Sequence, residues 1–171
     1  VVPSGELASI EFENEDGSFT KYENLKVLAF DENTDIAFLA FPENERPFSK
    51  GLNFSSTKVT DGEDVWSAGF PGLGQDVLWQ LGKGTVTNSS ARIKELLDPS
   101  VSPLIQHSAQ IDSGNSGGPL LRRLSGNNYE VVGLNTWKAT YRDSTNYSIP
   151  ASIVTKFIEN YFSGTVKDEQ I

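Results

Sequence analysis

The chain has 171 residues, 37% of them hydrophobic and 11% aromatic, enough to bury a core as one domain or as two small barrels. Its net charge of -9 is uneven: residues 1–90 carry 15 acidic and 6 basic side chains and residues 91–171 carry 8 of each, which argues against a nucleic-acid partner. The absence of cysteine excludes disulfides, thiolate zinc sites and cysteine nucleophiles, and no apolar run reaches the roughly 18 residues of a membrane span.

The first residue is valine, with no basic-then-apolar leader, so the chain reads as a mature or trimmed piece of a protein. Turn signals such as NEDGS, DENTD, FPENERP, DGED, FPGLG and SGNN recur at short spacing between runs rich in Val, Ile, Phe and Thr. That rhythm predicts antiparallel β structure, with strands at Leu7 to Phe12, Tyr22 to Phe30, Ile36 to Phe41, Val65 to Gly69 and Gly82 to Thr87. A short helix is expected over residues 89–98, SSARIKELLD. Further strands follow at Leu104 to Ser108, Pro119 to Arg122, Tyr129 to Trp137 and Tyr147 to Ile149. Pro150 then opens a closing helix, with Ile153, Val154, Phe157, Ile158 and Phe162 at helical spacing. The tail SGTVKDEQI reads as a frayed end.

One stretch stands out from this pattern. QIDSGNSGGPLL, residues 110 to 121, concentrates three glycines and several small polar residues before turning apolar. Such a cluster serves either a tight turn or a backbone that must approach something closely. Glycines on both sides of Ser116 would let backbone N–H groups converge on a negatively charged oxygen. Beside a serine hydroxyl, that cup suits acyl transfer, where each preorganised donor aimed at the oxyanion lowers the barrier by about 2.7–4 kcal/mol.

GNSGGPLL resembles the nucleophile loop of the chymotrypsin-like serine peptidases, and the asparagine before the serine resembles the HtrA-type branch. The resemblance implies Ser116 as nucleophile and the backbone N–H groups of Gly114 and Ser116 as the oxyanion hole. In NTDIAFLAF, it implies Asp35 as the triad acid. VWSAGFPGL resembles the family's Gly-x-Pro turn, GKGTVTNSS the strand entering the second barrel, and YSIPASIVTKFIENYF the last strand and terminal helix. In VVGLNTW, Thr136 falls where the family carries a serine beside the triad acid, and Trp137 where it often carries tryptophan.

The fold implied is all-β: two six-stranded antiparallel barrels with a C-terminal helix, the N-terminal barrel incomplete. Residues 1–88 would form that first barrel without its first strands, 89–102 the interbarrel connection, 103–163 the second barrel and terminal helix, and 164–171 a tail. No metal or organic cofactor is implied. Protein or peptide substrates are, and the family suggests an extracytoplasmic setting.

The only histidine, His107, follows Asp35, whereas the family order is histidine, aspartate, serine. His107 therefore reads as a hydrogen-bonded strand residue. The resemblance places the catalytic histidine upstream of Val1, on a segment outside these 171 residues, and the competing reading is an inactive, protease-like binding scaffold. Asn115 stands where chymotrypsin-like zymogens carry the aspartate that pairs with a new N-terminal amine. The residue six before the nucleophile lines the specificity pocket in this family; here it is Gln110, which supplies no carboxylate for Arg or Lys. Lys138, at the pocket rim, is expected to narrow the entrance and repel cations, so the cleaved bond should follow an uncharged, small or medium side chain.

Overall fold

Apolar and β-branched runs between turn signals form the strands, and those of the barrel bury or half-bury most of their residues. The structure, a computed structural model, describes residues 8–42, 45, 48, 50–73, 76–93, 103–139 and 143–164. They form β1 (Ala8–Glu13), β2 (Phe19–Asp31), β3 (Ile36–Ala40), β4 (Asp64–Gly69), β5 (Gly72–Leu73), β6 (Asp76–Val77), β7 (Gln80–Ala91), β8 (Leu104–His107), β9 (Pro119–Arg123), β10 (Tyr129–Lys138), β11 (Asn146–Pro150) and α1 (Ala151–Phe162). Leu7, residues 94–102 and the tail from 165 lie outside the described residues.

The chain divides into two compact units, one of residues 1–51 with 157–171 and one of residues 52–156. In the first, β1, β2 and β3 form an antiparallel three-stranded sheet. Leu25 and Ala29 of β2 and Ile36 of β3 are buried there. Phe12, Tyr22 and Phe41 pack with ring centroids 5.5–6.1 Å apart, Phe48 lies 4.6 Å from Phe12, and Phe38 meets Tyr161 of the helix edge to face at 5.4 Å.

The second unit is a closed antiparallel barrel, in the order β10, β11, β8, β7, β4, β9. Its core is Val59, Val65, Val86, Ile105, Ala109, Leu120 and Val132, contributed by inward-facing positions. Closure leaves the barrel without an open edge.

One expectation is corrected. Ser89 to Ala91 belong to β7 rather than to a helix: Ala91 pairs with Leu104, and the Ser89 amide donates to Asp61 Oδ1 at 2.7 Å. The rest of that expected helix, from residue 94, falls outside the described residues. The compact units part between Gly51 and Leu52, and β4 and β7 pair with each other and close the barrel between β9 and β8.

Candidate active site

Ser116 stands on the turn between β8 and β9, and the barrel holds that turn from two sides. From β10, the Asn135 carbonyl accepts the Gly117 amide at 2.7 Å and the Asn135 amide donates to Gly118 O at 2.8 Å. From β5, the Gly72 amide donates to Ser113 O at 3.0 Å. Within the turn, Asn115 N reaches Asp112 O and Gly118 N reaches Asn115 O, each at 3.0 Å. Ser116 is exposed, and its Oγ lies 3.5 Å from Thr136 O.

The glycines that flank Ser116 are there for geometry. Gly114 has φ 106° and Gly117 φ 81°, the left-handed region that favours glycine. A Cβ on Gly114 would also lie 2.8 Å from Phe70 O and 3.2 Å from Gly72 N. Neither the Gly114 nor the Ser116 amide is a donor in the backbone hydrogen bonds among the described residues. These two N–H groups are thus available to an oxygen at the serine.

Asn115 points inward, 2% exposed, and its Oδ1 has no hydrogen-bond partner among the described residues. Gly69 makes room for it, since a Cβ there would sit 2.4 Å from Asn115 Oδ1.

Three residues singled out from sequence for substrate contact meet at Asp112 or border that meeting. Gln110 Nε2 donates to Asp112 Oδ2 at 2.7 Å, and Lys138 Nζ pairs with Asp112 Oδ1 at 2.9 Å. The Lys138 hydrogen bond holds the Asp112 carboxyl below the ordinary range, with Gln110 adding to the effect against partial burial. The Lys138 charge is thus matched by Asp112. Trp137, the preceding residue on β10, packs against Tyr147 with ring centroids 5.6 Å apart.

Asp35 belongs to the first unit and Ser116 to the second. The aspartate is the last residue of the turn before β3, exposed, with φ 55°. Asp31 ties that turn, its Oδ1 accepting the Asn33 amide at 3.0 Å and its Oδ2 the Thr34 hydroxyl at 2.8 Å. His107 is fully buried in the barrel wall, its Nε2 at 2.9 Å from Ser148 Oγ. Burial pushes its pKa down to about 4, against a smaller upward pull from the Ala109 backbone.

Sequence reasoning overlooked Asn135, Ser148 and Ser67, all buried in the barrel. Their signal was available: polar residues occupying inward positions of strands that otherwise alternate.

A closed antiparallel barrel carrying a serine on a glycine-flanked turn is the architecture of the trypsin-like serine proteases. Residues 1–134 match the trypsin-like peptidase domain, and the chain belongs to that family. Its relatives are HtrA proteases. It is 33% identical over 140 residues to serine protease HTRA3 of Homo sapiens, an alignment covering 81% of this chain and 28% of that protein. It is 35% identical over 133 residues to mitochondrial serine protease HTRA2 of Bos taurus, covering 77% and 27%. Little more than a quarter of each relative's length is thus represented here. The crystal structure of the serine endoprotease from Yersinia pestis superposes with a TM-score of 0.64 at 22% identity, over 92% of this chain and 50% of that one, a likeness of fold.

Proposed function

We propose that the chain carries the nucleophile and the acid of a serine endopeptidase acting on protein or peptide substrates. Ser116 Oγ attacks the scissile carbonyl while a histidine takes its proton. The Gly114 and Ser116 amides receive the oxyanion; its collapse breaks the C–N bond as the histidine returns the proton to the leaving amine, and water, deprotonated by the same histidine, then hydrolyses the acyl-enzyme to free acid and Ser116. Asp35 orients that histidine and stabilises its cation. The observation that carries this reading is Ser116 itself, exposed between two glycines of positive φ on a turn that Asn135 of β10 and Gly72 of β5 hold in place. The left-handed Asp35 gives support, since strained non-glycine backbone clusters at functional sites.

His107 is not the base. It is the only histidine of the chain, it is fully buried, and its Nε2 is engaged by Ser148. In this reading the base is a histidine that these 171 residues do not supply, as the family resemblance implies.

Substrate choice follows from Asp112. Its carboxylate is occupied by Lys138 and Gln110, so an arginine or lysine side chain entering beside Gln110 finds no free anion. Cleavage is expected after uncharged, small or medium side chains. Peptide-library profiling of the full-length protein checks this, and a dominant preference for Arg or Lys would refute it.

The main test is hydrolysis of an unfolded polypeptide by the full-length protein. Ser116→Ala is expected to abolish turnover above the small residual that a binding site leaves, and Asp35→Asn to lower kcat by about 10⁴. Retained turnover in Ser116→Ala would overturn the assignment. Binding without cleavage by the wild type would make the protein a scaffold.

A further inference from the structure

The barrel wall contains a chain of buried polar side chains that ends at the serine turn. His107, Ser148, Asn135 and Ser67 lie on β8, β11, β10 and β4, each at most 2% exposed. His107 Nε2 is 2.9 Å from Ser148 Oγ, Ser148 Oγ is 3.0 Å from Asn135 Oδ1, and Asn135 Nδ2 is 3.0 Å from Ser67 Oγ.

The hydrogen-bond directions from Asn135 to His107 can be read. Asn135 Nδ2 also lies 3.4 Å from Pro119 O, which can only accept, so the amide cannot be flipped. Asn135 Oδ1 therefore faces Ser148 and must receive the serine's proton. Ser148 Oγ is left to accept, so His107 is neutral and carries its proton on Nε2. Its Nδ1 makes no hydrogen bond among the described residues.

We propose that His107 and Ser148 are positioning residues for the nucleophile turn, acting through Asn135. The side chain of Asn135 is fixed by this chain, and its backbone grips Gly117 and Gly118, the two residues after Ser116. An apolar core would bury the same volume without fixing the amide plane of Asn135. Buried polar chains that are satisfied along their length specify one arrangement, and here that arrangement is passed to the turn. The inference rests on Ser116 being the nucleophile, but its structural half does not.

The test uses hydrogen–deuterium exchange, resolved to single amides, together with steady-state kinetics of the full-length protein. Ser148→Ala removes one oxygen and the relay with it; Ser148→Thr keeps the hydroxyl, and His107→Gln keeps an N–H near the position of Nε2. In Ser148→Ala, the Gly117 and Asn135 amides are expected to exchange at least about 10-fold faster while those of β4 and β7 stay within about twofold. kcat should fall about 10-fold with KM within about twofold, the mark of an effect on the transition state rather than on binding. Ser148→Thr and His107→Gln should return within about threefold of wild type on both measures. Unchanged Gly117 exchange, or acceleration spread evenly over the barrel, would overturn the proposal. If Ser116→Ala remains active, the nucleophile reading fails while the exchange data still decide whether the relay holds the turn.

Discussion

At the scale of single residues, the two glycines around Ser116 are not equivalent, and substitution separates them. Alanine at Gly114 would add a Cβ at 2.8 Å from Phe70 O to a backbone at φ 106°, so the turn must move and the Gly114 amide with it. Gly114→Ala is expected to lower kcat by about 10²–10³, the cost of losing one oxyanion donor. Gly117 has empty space around its missing Cβ, so Gly117→Ala should cost only the left-handed backbone, about 1–2 kcal/mol, visible as a lower Tm. A Gly114→Ala enzyme with undiminished kcat would take that amide out of the mechanism. His107 makes a second prediction at this scale. Its pKa falls from 6.5 in the free side chain to about 4 in the barrel, so between those values the unfolded chain binds the extra proton. The stability this gives is full above the higher value and is lost as pH falls towards the lower one, by about 3 kcal/mol in total. His107→Gln should flatten that part of the stability curve relative to wild type in urea titrations, and identical slopes would contradict it.

Among the elements, Arg122 on β9 does most to bind the segment entering the barrel. Its guanidinium pairs with Glu63 and, at 2.8 Å, with Glu130, and donates to Ser55 Oγ, Thr57 Oγ1 and Lys58 O at 2.7–3.1 Å. Arg122→Ala would leave two partly buried carboxylates side by side, and is expected to cost on the order of 3 kcal/mol in denaturant midpoint. Arg122→Lys should recover little, since one ammonium cannot reach that many acceptors. The strands themselves were legible because most alternate, and α1 because its apolar residues recur at 3.6. The end of β7 was not. SSARIKELLD has a helix-like composition, yet Ser89 is drawn into the strand by Asp61 and Ala91 by Leu104, contacts that a local reading does not contain. The serine turn was legible from its glycines, whereas the Asp112 pair was not, because Lys138 is distant in sequence and only the barrel brings it there.

For the whole molecule, the partition at Gly51 and Leu52 follows from strand pairing: β4 and β7 lie early in the chain but close the later barrel. Nothing in the composition marks that change of partner. The acidic excess of residues 1–90 was legible from the start and argues against a nucleic-acid partner. The account as a whole depends on Ser116 being a nucleophile activated by a histidine other than His107. Labelling of the full-length protein with a serine-directed phosphonate, followed by peptide mass mapping, tests both parts together. The account predicts a single modified residue, Ser116, in the wild type and in His107→Gln, and no modification in Ser116→Ala. Modification at another serine, or its loss in a His107→Gln protein whose circular dichroism is unchanged, would contradict it.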